Sequence, residues 1–178
     1  VYTAADPAGG EGGIWYRERA TDGALSDPVS YLRTPAQENQ PTISPDGRYL
    51  AYRSDESGRF EIYVRPFPSG AGKWQVSTEG GTIPLWSADG TELFYKIGPA
   101  LMAVNVSTKN GFAVGPPQQL FASDDLPGNG LDIIAYSVFP GGQRFATFAP
   151  LSDQDGDSSQ ISIRVVENWA EEFRDREQ

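Results

Sequence analysis

Asp153, Asp155 and Asp157 alternate along a polar stretch, and alternating carboxylates are how loops present oxygen ligands to calcium. An EF-hand loop also needs glycine at its sixth position and glutamate at its twelfth, where this chain has Ser158 and Arg164. The stretch reads as a solvated hairpin loop, with calcium as the rival reading and no metal assigned. Asp55 and Glu56, followed by Gly58, form a second acidic pair. Glycoside cleavage requires two carboxyls on either side of a scissile bond, and adjacent residues on a turn do not face each other that way. Asp55 and Gly58 are instead expected to cap and turn a connection between strands. Asn105-Val106-Ser107 fits a glycosylation acceptor, which has meaning only in a eukaryotic secretory pathway.

The 178 residues contain neither histidine nor cysteine. Disulfides, thiolate metal sites and a Ser-His-Asp arrangement are therefore impossible within the chain, and the Gly-x-Ser-x-Gly elbow does not occur either. No cofactor is called for, and the chain is read as noncatalytic. With 24 acidic against 14 basic residues the net charge is −10, which repels nucleic acid and anionic lipid. Neutral or basic partners fit better, a protein or peptide first. No apolar run approaches the roughly 20 residues that span a bilayer, so no membrane insertion is expected.

A repeated hairpin must position these residues. Ser44-Pro45-Asp46-Gly47 recurs as Ser87-Ala88-Asp89-Gly90 and, more weakly, as Phe139-Pro140-Gly141-Gly142. Each lies between a short apolar run and an alternating one. Proline presets φ at the second turn position, and glycine takes the positive φ that closes the turn. After the first turn come Arg48 to Arg53, a polar break at Ser54 to Gly58, Phe60 to Arg65, a second break, and Lys73 to Ser77. With Gln40 to Ser44 ahead of the turn, one unit has four short strands. From Gly47 to Gly90 is 43 residues, within the roughly 40 to 45 of a four-stranded propeller blade. From Gly90 to Gly142 is 52, so the third cell carries an insertion, placed at Asp124 to Gly130.

The expected architecture is all-β: a partial β-propeller of about three and a half four-stranded antiparallel blades. It divides into a partial blade over 1–39, with a glycine-rich loop from Asp6 to Gly13, and blades over 40–81 and 82–122. A blade with insertions follows over 123–166, including a loop from Ser152 to Ser159, and then a helical cap over 167–178. There Trp169 and Phe173 fall four apart on one face. Trp15, Tyr63 and Trp74 are expected to fill space between blades, whereas Trp86 ends a first strand and can reach a ligand. Glu38, Asn39 and Gln40 concentrate polar side chains at the entry to another first strand. Together with Arg53, Arg59 and Trp86 they form the candidate binding surface, against the alternative of loop solvation and blade-to-blade hydrogen bonding.

Gln40 to Gly81, with its Ser-Pro-Asp-Gly turn, Ala51-Tyr52-Arg53-Ser54-Asp55, Gly58 and Glu61-Ile62-Tyr63, resembles the WD40-like repeat of TolB-type β-propellers. The order of Glu38-Asn39-Gln40-Pro41, Tyr63 to Pro68, Gly80-Gly81, Asp89 to Tyr95 and Asn168-Trp169 resembles, more narrowly, the propellers that end many bacterial serine/threonine protein kinases. Ala88 in place of the turn proline, and Phe139-Pro140-Gly141-Gly142 without serine or aspartate, depart from the repeat. The resemblance implies a binding or sensing module of a larger signalling protein that presents a face to protein, peptide or glycan. It also implies a periplasmic or otherwise extracytoplasmic site, with the cytoplasm as the alternative. Two further readings stay open: part of a glycan- or peptide-processing enzyme, and a scaffold in a bacterial envelope complex. A start inside a blade, without methionine, suggests an excised piece. Either the missing blades belong to a longer parent, or a second copy completes the ring.

Overall fold

The computed structural model describes residues 1–4, 13–109, 111–123, 136–150 and 161–167. Among these the regular structure is entirely strand, paired antiparallel in every named sheet. The chain divides into two compact units, Val1–Pro84 and Leu85–Gln178.

In the first unit, β1 (Tyr2–Ala4), β2 (Gly13–Tyr16) and β3 (Val29–Leu32) form one sheet in chain order. A second sheet follows: β4 (Glu38–Ile43), β5 (Tyr49–Ser54), β6 (Glu61–Pro66) and β7 (Trp74–Gln75), again in chain order. Alternation in β5 and β6 sends Leu50, Tyr52 and Tyr63 into the space between the sheets. There Ile14 and Leu32 meet Leu50, Tyr52 and Tyr63, with Tyr31, Ile43 and Phe67 packed around them. The Phe67 ring lies 5.1 Å from that of Tyr16 and 5.3 Å from that of Tyr31. Tyr31 also donates its hydroxyl to the Pro66 carbonyl at 2.7 Å, so its polar end is satisfied where its ring is buried. Burial pushes the Tyr31 hydroxyl up to about 12.

In the second unit, β8 (Thr82–Trp86, which straddles the boundary), β9 (Glu92–Ile97) and β10 (Ala100–Ser107) are joined by two short strands. These are β11 (Ala113–Val114) and β12 (Gln118–Ala122), which pair with opposite ends of β10. The third-cell strands β13 (Tyr136–Val138), β14 (Arg144–Pro150) and β15 (Ile161–Glu167) form a further sheet in chain order. Phe145 packs edge-on against Phe94 at 5.4 Å and Phe121 at 5.7 Å, and Leu93 and Leu101 of the same unit are buried.

The repeated turns share one geometry. Ser44 Oγ donates to Asp46 Oδ1 at 2.6 Å and accepts the Tyr49 N–H at 3.0 Å, while the Gly47 N–H donates to the Ser44 carbonyl at 2.8 Å. Ser87 repeats this with Asp89 at 2.7 Å, Glu92 at 2.9 Å and Gly90 at 3.0 Å, so alanine at position 88 leaves the turn unchanged. In the third copy Gly142 still donates to the Phe139 carbonyl at 3.1 Å, and Gly141 and Gly142 have φ of 90° and 69°. Backbone freedom there supplies what serine and aspartate supply elsewhere.

Several expectations fall outside the described residues: most of the Asp6 to Gly13 loop, the Asp124 to Gly130 insertion, the Ser152 to Ser159 loop with its three aspartates, and the C-terminal cap.

Candidate functional site

Glu38, Asn39 and Arg53 come together at the end of the second sheet remote from the Ser44 turn. The register pairs Glu38 with Ser54 and Asn39 with Arg53, and the next pair is Thr42 with Ala51. Strand β4 therefore carries one extra residue, a bulge, and Gln40 sits in it with φ of 53°. A non-glycine residue in this region is strained. One repeat later Ile83 has φ of 54°, and the Gln40 side-chain carbonyl accepts the Ile83 N–H at 2.8 Å. The Gln40 amide thus tethers one first strand to the next. The sequence placed it on the candidate surface with blade-to-blade hydrogen bonding as the alternative, and the spacing of 43 between Gln40 and Ile83 is visible there.

Glu38 is only 2% exposed. Thr34 Oγ1 donates to its Oε1, and the Ala36 N–H donates to the same hydroxyl at 3.1 Å. Among the described residues Glu38 Oε2 has no hydrogen-bond partner, and neither has Asn39 Oδ1. Burial pushes the Glu38 carboxyl above its ordinary range, the Thr34 bonds oppose that, and the charges of Glu56 and Asp55 add to it. The Arg53 guanidinium lies 3.6 Å from the centre of the Phe60 ring, close enough for a cation–π contact. Asp55 accepts the Gln37 N–H at 2.9 Å and, through its carbonyl, the Gly58 N–H at 2.8 Å, which ties the β5–β6 turn to the entry of β4.

Arg59 makes hydrogen bonds of its own while its side chain stays 59% exposed. Its Nε donates at 2.7 Å to Glu61, a carboxylate 1% exposed, and its other arm donates to the Thr78 carbonyl. Sequence reasoning missed Glu61. It accepts the Gly80 N–H at 3.0 Å on both oxygens and the Ser77 hydroxyl on Oε2, while Ser77 Oγ accepts the Ile62 N–H at 2.8 Å. The signal was a glutamate at the head of an otherwise apolar strand. Trp86 belongs to the second unit, is 9% exposed and packs edge-on against Phe112 at 6.5 Å.

Among the described residues no group of three or more histidine, cysteine, aspartate or glutamate side chains could hold a metal ion. No helix among them is long and apolar enough to cross a membrane.

No protein-family model and no curated protein matches this sequence. Solved structures do. TolB from Acinetobacter baumannii superposes over 94% of the chain with a TM-score of 0.63 and 19% identity. The chain has a TolB-like β-propeller fold. It spans 38% of that TolB. An oligogalacturonate lyase from Vibrio parahaemolyticus and a periplasmic gluconolactonase from Pseudomonas aeruginosa each match with a TM-score of 0.52, at 16% and 17% identity. They are matched over 76% and 93% of this chain and over 35% and 52% of their own. At such identities the likeness is one of fold.

Proposed function

We propose that this chain is a noncatalytic binding module whose working face is the end of the second sheet built by Glu38, Asn39, Gln40, Arg53 and Arg59. The observation that carries this is the pair of buried, unpartnered acceptors, Glu38 Oε2 and Asn39 Oδ1. Native proteins rarely leave such atoms unpaired, because each costs about 1–3 kcal/mol. Trp86 is buried in the other unit, so the face is drawn from the first unit alone. A protein or peptide is the partner, in keeping with a net charge of −10.

The parent is a larger extracytoplasmic signalling protein of the kind whose kinase domain carries a C-terminal propeller, and the blades divide at 39, 81, 122 and 166. The length of the solved propellers it matches supports a ring completed by further blades or by a second copy. Backbone NMR of the chain titrated with arrayed peptide and glycan pools tests the face. Shift changes are expected at Glu38, Asn39, Arg53 and Arg59. Changes confined to the Ser44 or Ser87 turns would refute the assignment. The full reading frame tests the parent: an upstream kinase domain is expected, and a hydrolase domain would overturn the signalling reading.

A further inference from the structure

Among the described residues the first unit contains two buried carboxylates in matching settings, Glu61 with a full set of donors and Glu38 without. Ser77 and Thr34 stand 43 residues apart, the repeat spacing, and each donates its hydroxyl to a buried glutamate, Glu61 and Glu38 respectively. In the second sheet that glutamate heads β6. In the first sheet the corresponding head of β2 is Gly13, where a Cβ would lie 2.6 Å from the Leu32 carbonyl oxygen, so no side chain fits. The carboxylate comes instead from Glu38, at the position matched one repeat later by Gly81. Gly81 is equally closed to a side chain, because a Cβ there would lie 2.7 Å from both Ile62 Cγ1 and Ser77 Oγ. The carboxylate has changed strands while its hydroxyl partner has stayed.

What did not follow is the remaining set of donors. Glu61 also receives the Arg59 guanidinium and the Gly80 N–H. Among the described residues Glu38 Oε2 receives nothing, and the acceptor next to it in sequence, Asn39 Oδ1, is unpartnered too. The negative charges of Glu56 and Asp55 push the Glu38 carboxyl further up. Arg59 shows what completes such a site: its side chain is 59% exposed, yet its Nε reaches a carboxylate 1% exposed. A guanidinium approaching from solvent is thus a working donor to a buried glutamate in this sheet.

We propose that Glu38 is the receptor for a cationic side chain, arginine or lysine, of a peptide partner. The proposal rests on the binding reading above and names its ligand. No described cluster could hold a metal ion, and the chain's charge of −10 draws basic ligands. Because Oε2 is shielded, the incoming group displaces whatever covers it, and specificity follows from charge-assisted, directional bonding.

A positional-scanning library of immobilised hexapeptides, probed with the wild-type chain and with Glu38→Gln, tests this. Glutamine keeps the Thr34 bond, and circular dichroism verifies its fold. Selection for arginine or lysine at one position, with at least tenfold weaker binding by Glu38→Gln, is expected. Replacing that arginine by citrulline should cost the wild-type chain a similar factor, a measurement independent of any variant. Binding without preference for basic residues, or undiminished by citrulline, overturns the cationic receptor and leaves the binding face standing. Binding of no peptide at all overturns both.

Discussion

Ser44→Ala removes the hub of the repeated turn without creating a large cavity. Ser44 is 5% exposed, and its hydroxyl donates to the Asp46 carboxylate at 2.6 Å while accepting the Tyr49 N–H at 3.0 Å. A hydrogen bond to a charged group contributes about 1.5–3 kcal/mol, and a neutral one about 1 kcal/mol. Asp46 keeps the Arg48 N–H at 3.0 Å and Nε at 2.7 Å, and its side chain is 41% exposed, so water replaces part of the loss. The expected destabilisation is about 2 kcal/mol. With a urea slope of about 2 kcal/mol/M, the midpoint falls by about 1 M.

A second readout is independent of global unfolding. The Ser44 hydroxyl is the main reason the Asp46 carboxyl is held down at about 2, from an ordinary 3.8, so its pKa should climb towards the ordinary value in Ser44→Ala. Since the folded pKa lies below the unfolded one, the unfolded chain binds more protons between them. The contribution is therefore complete above about pH 4 and is lost as pH falls towards 2. After discounting for solvent screening, it amounts to about 1 kcal/mol. Carboxyl NMR titration of both proteins, with urea unfolding at pH 3 and pH 7, measures all three quantities. An Asp46 pKa still near 2 in Ser44→Ala, or a stability loss under about 0.5 kcal/mol, would refute the reasoning. Ser87→Ala should behave alike through Asp89, which is also held at about 2, first of all by Ser87.

Three other outcomes are expected. Glu38 has the opposite sign: its folded carboxyl is raised by burial, so its unfavourable charge appears as pH rises through that pKa. Glu38→Gln should then be more stable than wild type by about 1 kcal/mol at pH 7, an advantage that shrinks below the ordinary glutamate range, as thermal melts across pH will show. At Gln40, alanine loses the bond to Ile83 yet keeps the positive φ, whereas glycine relieves that strain. Gln40→Gly should therefore be more stable than Gln40→Ala by about 1 kcal/mol, reversing the usual order in strands. Gly81→Ala, with contacts of 2.7 Å awaiting its methyl, should lose about 2–3 kcal/mol. Gly47→Ala has open space around it and only a φ of 73° to bear, and should lose about 1 kcal/mol; urea denaturation ranks the pair.

The sheets were legible in the sequence because turn chemistry and strand alternation are local. Ser44, Asp46 and Gly47 act within five residues of one another, and Leu50, Tyr52, Ile62 and Val64 declare their pairing by type and spacing. By itself the sequence determined the all-β repeat, the 43-residue period and, through its missing histidine and cysteine, the chemistry the chain lacks. The candidate site was legible only as a polar strand entry. That Arg59 and Gln40 are engaged in the fold, that Glu61 is a buried anchor and that Glu38 Oε2 lacks a donor were decided by the tertiary structure. Each depends on which strand lies opposite: among the described residues Glu38 meets Thr34 but no counterpart of Arg59. A donor's presence is a matter of position in space, and local sequence specifies residue type and spacing but not what stands across the sheet.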